Sequence, residues 1–328
     1  MNKKRRILLL LAVLAVTALV LSGCGLPRGE INLNDPSPGF WNQFIVYPLT
    51  KLLIALNRAI ASLGIPYSWG WAIIIFTLAI KLVTLPLTLK QLQSTKAQQE
   101  LQPRLRELQE KYGKDRQKLS EEQMKLYKEA GINPVGGCLP LLIQMPVLFG
   151  LYQALYILAN PSVNELTNAR FFWLPDLSYP SLTVGTSWIA QSFQTQNWGK
   201  LLTYFSLPLI MLVTQMLLQK MSQPRKDPKS NQQDPQSRMM GQMMLFMPIM
   251  FGWITLGLPS GLTLYWTVSN LLGMVQQYFI TGWGGLSDWL TFLRKPEPAM
   301  IGVSASASAT SEAYAEPEKP IKRRKRRK

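Results

Sequence analysis

Histidine is absent from the 328 residues, and cysteine occurs only twice, as Cys24 and Cys138. Without histidine the commonest general base and metal ligand is missing, so neither a Ser-His-Asp arrangement nor a Cys/His zinc site can be assembled. Two cysteines give no disulfide framework. Neither a P-loop nor a paired-glycine nucleotide fingerprint occurs. The sequence therefore points away from an enzyme, and no cofactor or metal is expected. Acidic residues are also scarce: 18 Asp and Glu stand against 35 Lys and Arg, for a formal net charge of +17. A chain that is 47% hydrophobic and 16% charged is not balanced like a soluble domain.

The apolar residues are gathered into runs. These are Ile7–Leu21, Trp71–Leu89, Val135–Leu158, Leu201–Leu218, Met243–Leu258 and Leu262–Ile280. The last five approach the roughly 20 residues that cross a bilayer, and none contains Asp or Glu. The first run is shorter, follows Lys3, Lys4, Arg5 and Arg6, and ends in Leu21-Ser22-Gly23-Cys24, the layout of a secretory signal over residues 1–23. The last four residues resemble a bacterial lipobox, which makes Cys24 the expected site of lipid attachment. With the mature chain starting outside, five crossings leave only Arg28, Lys51, Arg58, Arg170 and Lys200 outside and the dense Lys/Arg segments inside, as the positive-inside rule requires. The expectation is an all-α, multi-pass protein of a bacterial cell membrane, with five transmembrane helices and a cytoplasmic C-terminus.

Three segments flank these spans. In 24–70, the stretch Phe40–Leu63 carries Trp41, Ile45, Leu49, Leu52, Leu56, Ile60 and Leu63 at steps of three and four, which reads as an amphipathic helix on the outer membrane surface. Within the core of 71–281, residues 90–133 form a charged helical hairpin. Leu101, Leu105, Leu108 and Tyr112 make one stripe, Gly113 breaks it, Ser120-x-x-Gln123 reads as a capping box, and Gly131 with Pro134 ends the second helix. The polar, proline-broken loop Ser222–Arg238 reads as flexible. Residues 282–328 form a largely disordered tail ending in "IKRRKRRK", a block able to contact ribosomal RNA or anionic lipid.

The stretch "FTLAIKLVTLPL" places Lys81 inside a membrane run. A lysine at the centre of a membrane helix costs about 2.5–3.5 kcal/mol on an insertion scale. Helical spacing puts Thr77, Lys81, Thr84 and Thr88 on one face. Gln144, Thr214, Gln215, Gln219 and a final stripe of Thr263, Trp266, Thr267, Asn270 and Gln277 add polar groups in other runs. Lys81 is about 13–15 Å of helix from either end of its run, beyond the reach of snorkelling. The simplest resolution is a hydrated groove open to the cytoplasm, lined by Lys81, Thr77, Thr84, Gln144, Gln215 and Asn270. A secondary transporter is the alternative, since it too places an ionisable residue at mid-membrane, but no internal repeat accompanies it here. A structural lipoprotein would leave the polar stripe unexplained.

The stretches "WGWAIIIFTLAIKLVTLPLTLKQLQS", "LQPRLRELQEKYGKD", "KLYKEAGINPVGGCLPLLIQMPVLFGLYQAL", "FFWLPDLS" and "GLTLYWTVSNLLGMVQQYF" closely resemble the YidC family of membrane protein insertases, relatives of the Oxa and Alb proteins. The likeness runs from Gly39 to Ile280. It implies five core spans around a groove, nascent membrane proteins as substrates, and the ribosome and the Sec translocon as partners. It also implies insertion without nucleotide hydrolysis. The family's groove arginine is matched here by Lys81, which keeps the cation but lacks the planar donor fork. Thr77, Gln144, Tyr265 and Trp266 match other groove or substrate-contact positions, and the short N-terminus with its lipobox looks like the Gram-positive-style members.

Overall fold

The computed structural model describes residues 39–113, 115–131, 139–160, 163, 165–181, 184–223 and 246–288, with the side chains of 116 and 139–144 excepted. Cys24, Cys138, most of the Ser222–Arg238 loop, the basic tail and the side chain of Gln144 lie outside the described residues. Among the described residues there are helices and one isolated bridge, between Phe171 and Leu174, but no strand. A π-turn, Asn42–Val46, leads into α1, Tyr47–Ser62. The remaining helices are α2 (Ser68–Glu100), α3 (Gln102–Tyr112), α4 (Arg116–Glu129), α5 (Leu139–Leu158), α6 (Ser187–Gln194), α7 (Trp198–Met221), α8 (Phe246–Thr255) and α9 (Ser260–Thr281).

Asn42–Ser62, α2 and α7 are long and apolar enough to cross a membrane, and Met145–Leu158 and α8 are shorter apolar helices. The architecture is that of an all-α membrane protein. α2 has 33 residues and runs unbroken past the expected span into what was expected to be hairpin. Gln, Lys and Ala are all good helix formers, and nothing in the sequence before Pro103 interrupts them. Pro86 is tolerated inside it because a membrane helix is supported by its neighbours.

α9 packs along both α2 and α7, and α1 packs on α2 and α5. The core gathers Leu53, Ile73, Phe76, Leu151, Leu155, Leu177, Trp188 and Tyr265. Two glycines permit close approaches. The Phe171 ring lies where a Cβ of Gly70 would be, and a Cβ on Gly150 would come within 2.8 Å of Ile45 and 2.9 Å of Leu49. Away from this core, Leu82, Val83, Leu202, Leu209 and Phe279 stand exposed, which fits surfaces turned to lipid tails.

Two local expectations change. The buried face of the first helix is Val46, Tyr47, Thr50, Leu53, Ile54, Asn57 and Ile60, whereas Leu52 and Leu63 are exposed. The helix is apolar on several sides and packs on both α2 and α5, so it buries Thr50 and Asn57 as well as seating Ile45 and Leu49 against Gly150. The Thr50 hydroxyl is satisfied by the Val46 carbonyl at 2.8 Å. In the hairpin, α4 opens at Arg116 rather than at Ser120. Asp115 is its N-cap, accepting from the Lys118 amide at 3.1 Å. A carboxylate at the positive end of the helix is a strong cap, and it starts the helix before the serine is reached. The hairpin otherwise follows the pattern: α3 ends at Gly113, Gly131 has φ +65°, and Leu105 and Leu119 are buried.

Candidate groove around Lys81

α2 carries Lys81 about 20 Å along the helix from Ser68. Thr77, on the same face, is fully buried, Thr84 is partly buried, and Val83 on the far side is 77% exposed. The Lys81 face therefore turns inward. Lys81 itself is partly buried, and among the described residues no carboxylate pairs with it. The ion pair described, Arg58 with Glu165 at 3.3 Å, lies outside this region.

The threonines of this stripe bond to their own helix. Thr77 donates to the Ile73 carbonyl at 2.6 Å, Thr84 to Ile80 at 2.8 Å and Thr88 to Thr84 at 3.0 Å. Their hydroxyl protons are thus already used, and the stripe offers acceptor lone pairs beside a cation. Pro86 removes the amide that would bond to the Leu82 carbonyl, on the side of α2 where Leu82, Val83 and Pro86 are exposed. An ammonium on the inward face of a membrane helix needs water or a polar guest.

On the facing helices, Asn270 Nδ2 of α9 donates to Thr214 Oγ1 of α7 at 3.4 Å, and both residues are buried. Tyr265 is buried in the core. Trp266 is partly exposed and stands edge-on to Phe251, with centroids 5.7 Å apart, and Gln215 is partly exposed on α7. The predicted residues thus divide. Lys81, Thr84, Gln215 and Trp266 keep some exposure, whereas Thr77, Tyr265 and Asn270 are packed inside. Sequence reasoning passed over a second polar group at the other end of the bundle, where Gln99, Lys220, Ser222 and Gln223 meet Gln277. Of these only Gln277 lies on a recognisable membrane stripe; the others sit in polar sequence, where nothing marks them out.

The sequence profile of the 60Kd inner membrane protein family matches residues 60–284. The chain belongs to that family. The 60Kd family resemblance is shared with an inner membrane ALBINO3-like protein 2 of Chlamydomonas reinhardtii, 40% identical over 233 residues, which cover 70% of this chain and 53% of the relative. A membrane protein insertase YidC of Magnetococcus marinus is 35% identical over 256 residues, covering 78% of this chain and 38% of the relative. Among solved structures, an active YidC insertase with its first transmembrane domain resolved superposes with a TM-score of 0.51 at 27% identity, covering 74% of this chain and 47% of that one. The likeness to YidC drawn from the motifs holds, and the protein is a multi-pass membrane protein of the YidC, Oxa and Alb kind. It spans about half or less of the length of these relatives.

Proposed function

We propose that this chain is a membrane protein insertase that moves hydrophobic segments of nascent membrane proteins from the cytoplasm into the bilayer without hydrolysing nucleotide. The observation that carries the reading is Lys81: a cation on the inward face of an apolar helix, with no acidic partner among the described residues. A short polar flank of a substrate can exchange its water for this environment while the adjoining apolar segment slides along α2 into lipid. The Lys81 ammonium attracts acidic flanks in particular. Burial of substrate apolar area, at about 25 cal/mol per Å², drives the transfer, and the membrane potential adds about 2.3 kcal/mol per charge per 100 mV for acidic flanks moving outward.

In this reading five helices span the membrane, with the α3–α4 hairpin and the tail in the cytoplasm. The first helix lies on the outer face. Lipid on Cys24 anchors the outer segment, the hairpin receives substrate, and the basic tail docks ribosomes; the Sec translocon is a further partner. None of the relatives named above is described as a transporter.

Insertion of two single-span reporters, one with an acidic and one with a neutral translocated flank, tests the proposal in reconstituted vesicles. Lys81→Arg is expected to insert both at near-normal rates. Lys81→Met is expected to slow the acidic-flanked reporter at least several-fold more than the neutral one. Equal rates for both reporters in Lys81→Met would overturn the role given to the charge.

A further inference from the structure

The ends of α2, α7 and α9 nearest the hairpin are tied by side chains. Gln99 Nε2 donates to the Ser222 carbonyl at 2.6 Å, and Ser222 Oγ donates to Gln277 Oε1 at 3.1 Å. Lys220 Nζ donates to Gln223 Oε1 at 3.2 Å. The short 3-10 turn Gly284–Asp288, after α9, folds onto the same place. The Gly285 amide donates to the Gln223 carbonyl at 2.8 Å, and Gly284, at φ +48°, lies so close to the Met221 carbonyl that no Cβ would fit. The ends of α7 and α9 thus form one platform, and α2 reaches it through Gln99.

At the opposite end α2 and α7 are joined through residues 171–173. The Trp71 ring lies 6.3 Å from that of Phe171, and Trp173 Nε1 donates to Ser206 Oγ at 2.8 Å. Between these two ties α2 runs about 42 Å, from Trp71 to Gln99, while α7 runs about 24 Å, from Ser206 to Ser222. Through Gln99 the last turn of α2 is held against the ends of α7 and α9, at the hairpin end of the trough that α2 and α7 form on α9. Pro86 lies between the two ties, where a long helix bends most easily. Gln91, about two turns before Gln99, is buried.

We propose that Gln99, Ser222 and Gln277 form a latch that holds the α2 extension, and the hairpin behind it, across the mouth of the groove. The latch must release, with α2 flexing at Pro86, for a hydrophobic segment to enter. Two neutral hydrogen bonds suit such a contact, since each is replaced by water at little net cost. The inference rests on the insertase reading, so its test separates the two. Cysteines replacing Gln99 and Ser222, in a Cys24→Ala, Cys138→Ala background, would be joined by a short bis-methanethiosulfonate cross-linker, and insertion of the neutral-flanked reporter would be measured before and after reduction. Joining is expected to lower insertion at least five-fold and reduction to restore it; joined protein that inserts at the reduced rate would overturn the latch. If the reduced background does not insert at all, the insertase reading falls instead. The latch is then decided by reactivity alone: a cysteine replacing Gln91 should react with a soluble maleimide several-fold faster when Gln99→Leu is added, and an unchanged rate would overturn it.

Discussion

Gly70 is a residue whose replacement the packing resists. It lies in the first turn of α2, with the Phe171 ring in the space a Cβ would take, and the ring is itself fixed between Trp71 and Phe172. Overpacking a site of this kind costs about 1–3 kcal/mol. Gly70→Ala is therefore expected to lower the thermal unfolding temperature in detergent, and adding Phe171→Leu should recover part of the loss, because a leucine vacates the contested volume. Additive losses in the double variant would show that the two residues are not coupled. At this scale the sequence was a good guide to Lys81 and its threonines, since helical spacing alone puts them on one face. It could not tell that Thr77 would be sealed inside with its proton given to Ile73, nor that Tyr265 and Asn270 would be packed away. Burial depends on which neighbour arrives, and a stripe of polar residues looks the same before and after that choice.

Helix limits and faces test the reading one level up. Asp115 caps α4, whereas the sequence offered the capping pattern at Ser120. The two assignments separate cleanly by mutation. Asp115→Ala should destabilise the hairpin by about 1 kcal/mol, seen as faster amide exchange in the first turn of α4, while Ser120→Ala, now in the helix interior, should change it by less than about 0.5 kcal/mol. The reverse ranking would return the start of the helix to Ser120. The serine misled because Ser-x-x-Gln is a sound motif wherever it begins a helix, and here an acid five residues earlier began it first. The first helix gives the complementary lesson. Its helical character and its apolar content were plain, but nearly every side could have been the buried one. Packing on two neighbours, α2 and α5, decided which sides were covered, and periodicity in the sequence shows neither neighbour.

For the whole molecule, the open matter is how the bundle sits in lipid. Tyr67, Trp71, Phe172, Trp173, Phe193 and Trp198 are all exposed and crowd the end at which α2 and α7 begin. Aromatic side chains with an apolar body and a polar edge collect at the headgroup level, which puts one membrane boundary there. About 30 Å of hydrocarbon, measured along α2 from Trp71, ends close to Lys90, the first cation of α2 after Lys81. Lys81 then falls near the midplane, and Val83 lies within about 3 Å of the same depth, because two residues advance a helix by that much. Their surroundings differ completely: Val83 is 77% exposed on the outward face, and Lys81 lies on the inward one. Depth alone cannot separate two labels so placed, but water can. Spin labels on cysteines replacing Val83 and Lys81, in a Cys138→Ala background in vesicles, should respond in opposite ways. The label at 83 should collide with oxygen and scarcely with a soluble nickel chelate, as lipid-facing sites do, and the label at 81 should favour the chelate. If both labels respond to oxygen alone, the inward face of α2 is dry at mid-membrane, and the charge on Lys81 must be accommodated by something other than a hydrated groove.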